Sequence, residues 1–368
     1  MSYLVLNPGS STLKYSLFDS ASLALLEAGK IERWDGSSAS ALHELALSPL
    51  LQAAQLQGIG CRVVHGGATF SYPTIVTPEV LATIRSLSDL APLHNPAAAN
   101  LIEVCLAHFV GIPVIAVFDT AFHSTLPQVA HTYAIPRELA RSHNLHRFGF
   151  HGIAHQYVSA RMLHRLGLPA AASRLITCHL GSGTSICAIK DGISIDTSMG
   201  FTPMEGLVMG TRSGDIDPGL VLHLIQNLGI SVAEVHSILN HQGGLLGISG
   251  ISADMREVEI AASSGDQGAE LALECFAYRA VKYIGAYYVT LEGIDAIAFS
   301  GGIGENSADM RSRICRRLGA LGVRLDPKVN AEASGERESR INNPSDKVSV
   351  WVIHADEERQ IATQLLQL

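Results

Sequence analysis

Twice along the chain an apolar strand runs into a glycine- and serine-rich turn and back out into a second strand. The first instance is Tyr3-Leu4-Val5-Leu6, then Asn7-Pro8-Gly9-Ser10-Ser11-Thr12, then Leu13 to Phe18. The second is Leu175 to Leu180, then Gly181-Ser182-Gly183-Thr184, then Ser185 to Ile189. A lysine follows each turn, Lys14 and Lys190, at different spacing. Such a recurrence indicates an internal duplication with one hairpin per half. At 368 residues the chain is long enough for two domains, each with its own core.

The first turn has the chemistry of a phosphate cradle. Glycine, Ser10 and Thr12 set backbone N–H groups and hydroxyls around one point, Lys14 adds a cation, and Asn7 can orient a metal-bound water. A plain hairpin turn is the alternative, and the G-x-x-x-x-G-K-[ST] pattern of a Walker loop is absent. A third glycine turn, Ser300-Gly301-Gly302-Ile303-Gly304-Glu305-Asn306, follows the buried strand Ala296 to Phe299 and is expected to open a helix whose amides face a nucleotide. The stretch Asp196 to Pro218 is too rich in small residues for core and too poor in charge for a solvated linker, so it reads as an active-site loop. Arg212, on a glycine-flanked turn there, suits a bidentate grip on phosphate or carboxylate; a salt-bridged surface arginine is the alternative.

The formal charge of −8 argues against nucleic acid or an anionic membrane as partner, so an anionic substrate has to be held by a few placed cations. No apolar run reaches spanning length and no basic leader precedes Tyr3, which points to a cytoplasmic protein. Six cysteines without a C-x-x-C pair read as reduced, buried thiols. His151 and His155 share the i, i+4 spacing of a zinc helix but lack the glutamate of H-E-x-x-H.

Between the hairpins a helix is expected over Ala41–Gln57, followed by the strand Cys61-Arg62-Val63-Val64. Arg62 inside an apolar strand needs an anion, either a structural carboxylate or a substrate. Helices are expected over Pro78–Leu87 and Pro96–Val110, and then the buried strand Pro113–Phe118. That strand ends on Asp119, where open α/β sheets place their ligands. A helix follows Gly152 through about Leu166. Further helices are expected at Pro218–Leu228, Val232–Asn240, Glu270–Leu291 and Met310–Leu318. Ser334–Lys347 reads as a polar surface loop, Val348–Ile353 as a strand, and Asp356 to Leu366 as a last helix with Glu357 and Glu358 in its first turn.

Taken together, N-P-G-S-S-T-L-K, R-V-V-H-G-G, A-P-L-H-N-P, F-D-T-A-F-H, R-F-G-F-H-G, H-L-G-S-G, D-T-S-M-G-F-T-P-M-E-G with M-G-T-R-S-G-D-I-D-P, S-G-G-I-G-E-N and the late D-E-E resemble the acetate kinase family over nearly the whole chain. The resemblance implies a duplicated actin-like, ribonuclease H-like α/β fold: residues 1–121 completed by 356–368, and a nucleotide-binding domain 122–355, with a nucleotide cleft. It also implies a homodimer. Three departures stand out: a shorter segment before Arg62, Thr12 where serine is also common, and Ser182 where the family usually has asparagine.

The activity the resemblance implies is reversible phosphoryl transfer from ATP to acetate, assisted by Mg²⁺, with Mn²⁺ as a substitute. Arg62 and Arg212 would clamp carboxylate and phosphoryl group, and His151 would donate to the phosphoryl oxygens. Asn7 and Glu357 would serve Mg²⁺. Asp119 matches the position usually labelled catalytic, but a carboxylate already ionised at neutral pH has no need to act as base, so it is expected to orient Mg²⁺ or Arg62. Val64, Leu93, Phe150 and Pro203 would line the methyl pocket. The nucleotide would lie along His179, Leu180, Gly181, Ser182 and Gly183, along Asp254, Met255 and Arg256, and along Gly301, Gly302, Ile303, Gly304 and Glu305. Propionate or butyrate kinase, a pyrophosphate-linked enzyme, and an ATP-hydrolysing clamp remain open alternatives.

Overall fold

Strand β1, Ser2–Pro8, has all seven residues buried, which requires both faces of its sheet to be covered. The computed structural model describes residues 1–9, 12–32, 34, 54–92 and 94–368 and divides them into two compact units. The first comprises 1–124, 150–157 and 356–368; the second comprises 125–149 and 158–355. Most of the expected helix Ala41–Gln57, together with Ser10 and Leu93, lies outside the described residues. The end of that helix is corrected, because Leu56 and Gln57 open a strand.

In the first unit β1 pairs antiparallel with β2 (Thr12–Asp19), and β2 with β3 (Leu25–Glu32). On its other side β1 runs parallel to β4 (Leu56–Val63), β4 runs parallel to β6 (Val114–Phe118), and β5 (Thr74–Ile75) closes the edge antiparallel. The order is therefore β3-β2-β1-β4-β6-β5. Period-two alternation sends Leu4 and Leu6 to one face, against helices Pro78–Ser86 and Asn95–His108, and Tyr3 and Val5 to the other. There they meet Ile361, Ala362 and Leu365 of the C-terminal helix Glu357–Leu366. Gly60 of β4 permits that approach, since a Cβ would lie 2.6 Å from Ile361 Cγ2.

The second unit repeats the design strand for strand. β7 (Arg174–Leu180), β8 (Thr184–Lys190) and β9 (Ile193–Thr197) form the antiparallel set. β10 (Ala296–Ser300) runs parallel to β7 and to β12 (Ser349–Val352), and β11 (Ser339–Arg340) is the antiparallel edge. The order β9-β8-β7-β10-β12-β11 is that of the first sheet with each index raised by the duplication. The core gathers around the long helix Gln267–Thr290 with helices Met255–Ser263 and Ala308–Cys315.

Two expectations fail here for identifiable reasons. Ser334–Lys347 is not simply a surface loop: Ile341 and Asn342 are buried because β11 needs a partner, and the Asn342 amide donates to Val348 O (2.8 Å) and accepts from Val350 N (2.8 Å). The loop 198–217 does contribute core, with Met199, Leu207 and Met209 fully buried. It can do so because its backbone pairs with itself, as in Asp215 N to Gly206 O (2.9 Å) and Met209 N to Arg212 O (3.2 Å), leaving few polar groups to strand.

Arg311 is fully buried, and its guanidinium donates only to oxygens of amides: Asn330 Oδ1 and O, Gly304 O, Glu305 O and Ala333 O. Burial lowers its pKa to about 10, still well above neutral, so the cation persists.

Candidate active site

In the first unit the carboxyl ends of three adjacent parallel strands deliver Asn7 (β1), Arg62 (β4) and, one residue beyond β6, Asp119. Arg62 holds Asp119 bidentately, Nε to Oδ1 at 3.0 Å and Nη2 to Oδ2 at 2.5 Å, and reaches Asn7 Oδ1 at 3.0 Å. Asn7 Nδ2 donates to Glu357 (3.1 Å) and Glu358 (2.8 Å), the acidic first turn of the C-terminal helix. Lys14 lies 4.0 Å from Glu358, and Thr12 opens β2 beside it. Burial alone would lower the Arg62 pKa, but Asp119 and Glu357 raise it above the ordinary value; burial pushes the Asp119 carboxyl up while Arg62 pulls against it. The pair is therefore a buried ion pair with Asp119 only 1% exposed.

His151 adopts the left-handed conformation at φ 58°, uncommon for a residue with a side chain. The strain is held by Gly152 N donating to Asp119 O (2.9 Å) at the start of helix Gly152–Leu166, where a Cβ on residue 152 would lie 2.2 Å from that oxygen. Phe150 is buried with its ring edge-on to His65 at 5.4 Å, and Val64 is buried nearby in sequence at the end of β4. His123, to which the sequence reading gives no role, anchors the same segment through Phe150 O at 3.0 Å.

In the second unit three of the sequence stretches meet on one cavity of about 610 Å³: Gly181 and Ser182, Asp254 to Arg256, and Gly302 with Ile303. Ala253, Glu259, Asn306 and Ser307 complete it. Glu259 sits on an ordinary helix with no motif around it, and it accepts a hydrogen bond from Ser307 Oγ. Asp254 caps that helix through Arg256 N (2.9 Å) and pairs with the Arg256 guanidinium, which holds its carboxyl at about 2. His179, Leu180, Gly183, Gly301, Gly304 and Glu305 do not line the cavity. The residues expected to form a turn before a helix are themselves the helix Gly301–Asn306, and Glu305 turns inward to accept from Gly301 N (2.8 Å), Ala355 N (3.2 Å) and His354 Nδ1 (2.8 Å).

The loop 198–217 presents Arg212, half-buried, with Nη1 donating to Pro203 O (3.0 Å) and contacting Met209 Sδ (3.7 Å). Among the described residues no carboxylate pairs with it, and burial alone lowers its pKa. Arg147, whose sequence context suggests no role of its own, organises the loop's base. Its guanidinium donates to Thr197 O, Ser198 O and Met199 O at 2.9–3.2 Å and to Glu205 Oε1 at 2.5 Å.

Two α/β units of one strand order, each with polar residues at the carboxyl ends of its parallel strands, define the duplicated actin-like class. Within it the chain belongs to the acetokinase family, matched over residues 29–363. It is 44% identical to acetate kinase of Heliobacterium modesticaldum, covering 100% of this chain and 99% of that one. The crystal structure of Porphyromonas gingivalis acetate kinase superposes with a TM-score of 0.92 at 37% identity, over 100% of this chain and 99% of the other. A propionate kinase from Francisella tularensis gives 0.89 at 39% identity, over 99% and 98%.

Proposed function

We propose that the protein transfers the γ-phosphoryl group of ATP reversibly to acetate, giving acetyl phosphate and ADP. The observation that carries this reading is Arg212: a half-buried guanidinium that among the described residues has only a carbonyl and a thioether for partners is a cation lacking its anion. Arg62 complements it as a guanidinium whose orientation is already fixed by Asp119.

A carboxylate oxygen of acetate forms the new bond to the γ-phosphorus as the bond to the β,γ-bridging oxygen breaks, so ADP leaves with that electron pair. Such a transfer asks the protein for alignment and charge neutralisation rather than proton removal. Arg62 receives the acetate carboxylate, Arg212 the equatorial phosphoryl oxygens, and His151 donates to the same group. Asp119 acts as a positioning residue on Arg62. Val64, Phe150, Pro203 and Leu93 receive the methyl group. Ser182, Asp254, Met255, Arg256, Gly302 and Ile303 hold the nucleoside, with Glu259 and Asn306 added by the cavity. Thr12, Ser10 and Lys14 attend the phosphates.

Glu357, Glu358 and Asn7 present hard oxygen donors at one strand end, a donor set that fits Mg²⁺. The ion would neutralise phosphate charge when bound. Because Asn7 Oδ1 already accepts from Arg62, Asn7 would act on the ion through water. The exposed helix Pro218–Gln226, with no buried residue, favours a homodimer, and buried free thiols favour the cytoplasm.

The deciding experiment traps acyl phosphate with hydroxylamine in parallel reactions with Mg·ATP or Mg·pyrophosphate and acetate, propionate or butyrate. Product with ATP and acetate is expected. A larger kcat/KM for propionate would move the assignment to the substrate named in the Francisella relative. ATP turnover indifferent to any carboxylate would replace the kinase by a nucleotide-driven clamp, and turnover with pyrophosphate alone would trace to Ser182.

A further inference from the structure

The second unit holds another cavity, of about 760 Å³, built from residues 128–146. The cations on its lining are Arg137 and Arg141, with the imidazoles of His131 and His146 beside them, and among the described residues no aspartate or glutamate lines it. Arg137 and Arg141 stand one helical turn apart on helix Arg137–Ser142, and neither pairs with a carboxylate among the described residues. The His131 and His146 rings lie 5.1 Å apart, and burial together with His146 keeps the His131 pKa below its ordinary value. Asn144 and Tyr133 add polar groups to the rim.

The wall of this cavity is continuous with the loop that carries Arg212. Tyr133 donates its hydroxyl to Glu205 and accepts from Phe201 N (2.8 Å). Thr132 and His146 form a bridge, Arg147 N donates to His131 O (2.8 Å), and the Arg147 guanidinium grips Glu205 and three carbonyls of residues 197–199. Displacing Tyr133 or the 146–147 backbone therefore pulls on the Glu205 end of the loop.

We propose that this cavity binds a small polyanion, carboxylate or phosphate oxygens on a short carbon frame, and that its occupancy is relayed to the Arg212 loop through Tyr133 and Glu205. Binding stands apart from the phosphotransfer reading; only the relay is measured through it. The test is calorimetric titration of the full chain with tricarballylate in one arm and 3-phosphoglycerate in the other, repeated with Arg137→Ala/Arg141→Ala. Both arginines are exposed and unpaired, so the double variant keeps its fold and its basal kcat.

At least one probe is expected to bind wild type, and the double variant to lose about tenfold or more in affinity, as removal of charge-assisted hydrogen bonds does. The arm that binds identifies the anion. Failure of both probes, or equal binding by the double variant, overturns the site. For the relay, the bound probe is expected to change KM or kcat of wild type, and Tyr133→Phe to keep the probe's affinity while losing that effect. Kinetics untouched by a bound probe, or an effect surviving in Tyr133→Phe, overturns the relay.

Discussion

An arginine that already holds a carboxylate and one that does not respond differently to deletion. Arg62→Ala strands the fully buried Asp119, and breaking such a pair costs about 3–5 kcal/mol, so the variant is expected to melt at lower temperature as well as to lose activity. Arg212→Ala removes no ion pair, so its melting temperature is expected to stay close to wild type. Both are expected to lower kcat by several hundredfold, about 3–4 kcal/mol of transition-state stabilisation. Thermal unfolding beside steady-state kinetics checks the contrast; a normal kcat in either variant removes that arginine from the mechanism. The sequence makes the Arg62 ambiguity visible but does not resolve it, because a lone arginine in an apolar strand does not reveal its partner. Asp119, distant in sequence, supplies it through the register of β4 and β6. Glu259 was illegible, since a glutamate on an amphipathic helix carries no signal until the cavity forms around it. Glu305 was legible as part of a motif but not in orientation, because a glycine-rich stretch reads equally as turn or helix.

Elements position these side chains through a few close approaches. Gly152→Ala is expected to push the start of its helix away from Asp119 O, since the new Cβ meets backbone and no side chain can yield. The strained His151 would relax, and kcat is expected to fall with KM for ATP little changed; unaltered kinetics would show that the helix start does not position His151. Glu305 ties helix Gly301–Asn306 to residues 354–355. Burial pushes its carboxyl up, but the hydrogen bonds from His354 and from the backbone of Ala355 and Gly301 bring it below the ordinary 4.5. A depressed folded-state value means that the stabilisation is present above the unfolded value and lost as pH falls through and below it. Wild type is accordingly expected to lose melting temperature more steeply than Glu305→Gln as pH drops below about 4.5; parallel slopes would remove Glu305 from the acid response. The buried strands are readable because both sheet faces are covered and their sequences run continuously apolar, whereas β3 with its exposed, charged residues and the short or edge strands β5, β9 and β11 are not. The helix Met255–Ser263 is not legible in the sequence, where its N-cap Asp254 reads only as a ligand.

For the whole molecule the duplication was the most legible property, because a hairpin repeated in sequence fixes a strand order repeated in space. What a second chain would cover under the proposed homodimer is less readable, since exposed apolar residues carry no period of their own. Helix Pro218–Gln226 exposes Leu220 and Leu222, 46% and 54% accessible, without a buried residue. Under the proposed homodimer, Leu222→Glu is expected to shift the protein towards monomer in sedimentation velocity; an unchanged dimer would move the interface elsewhere, and a monomeric wild type would remove it. Arg311 bears on how the second unit comes apart. Its guanidinium ties residues 304–305 to 330 and 333, and neither segment can detach without leaving a buried charge unsolvated. The amides of both segments are therefore expected to exchange with solvent deuterium at a common, slow rate, as one cooperative foldon whose opening also dismantles the Gly302–Ser307 wall of the cavity.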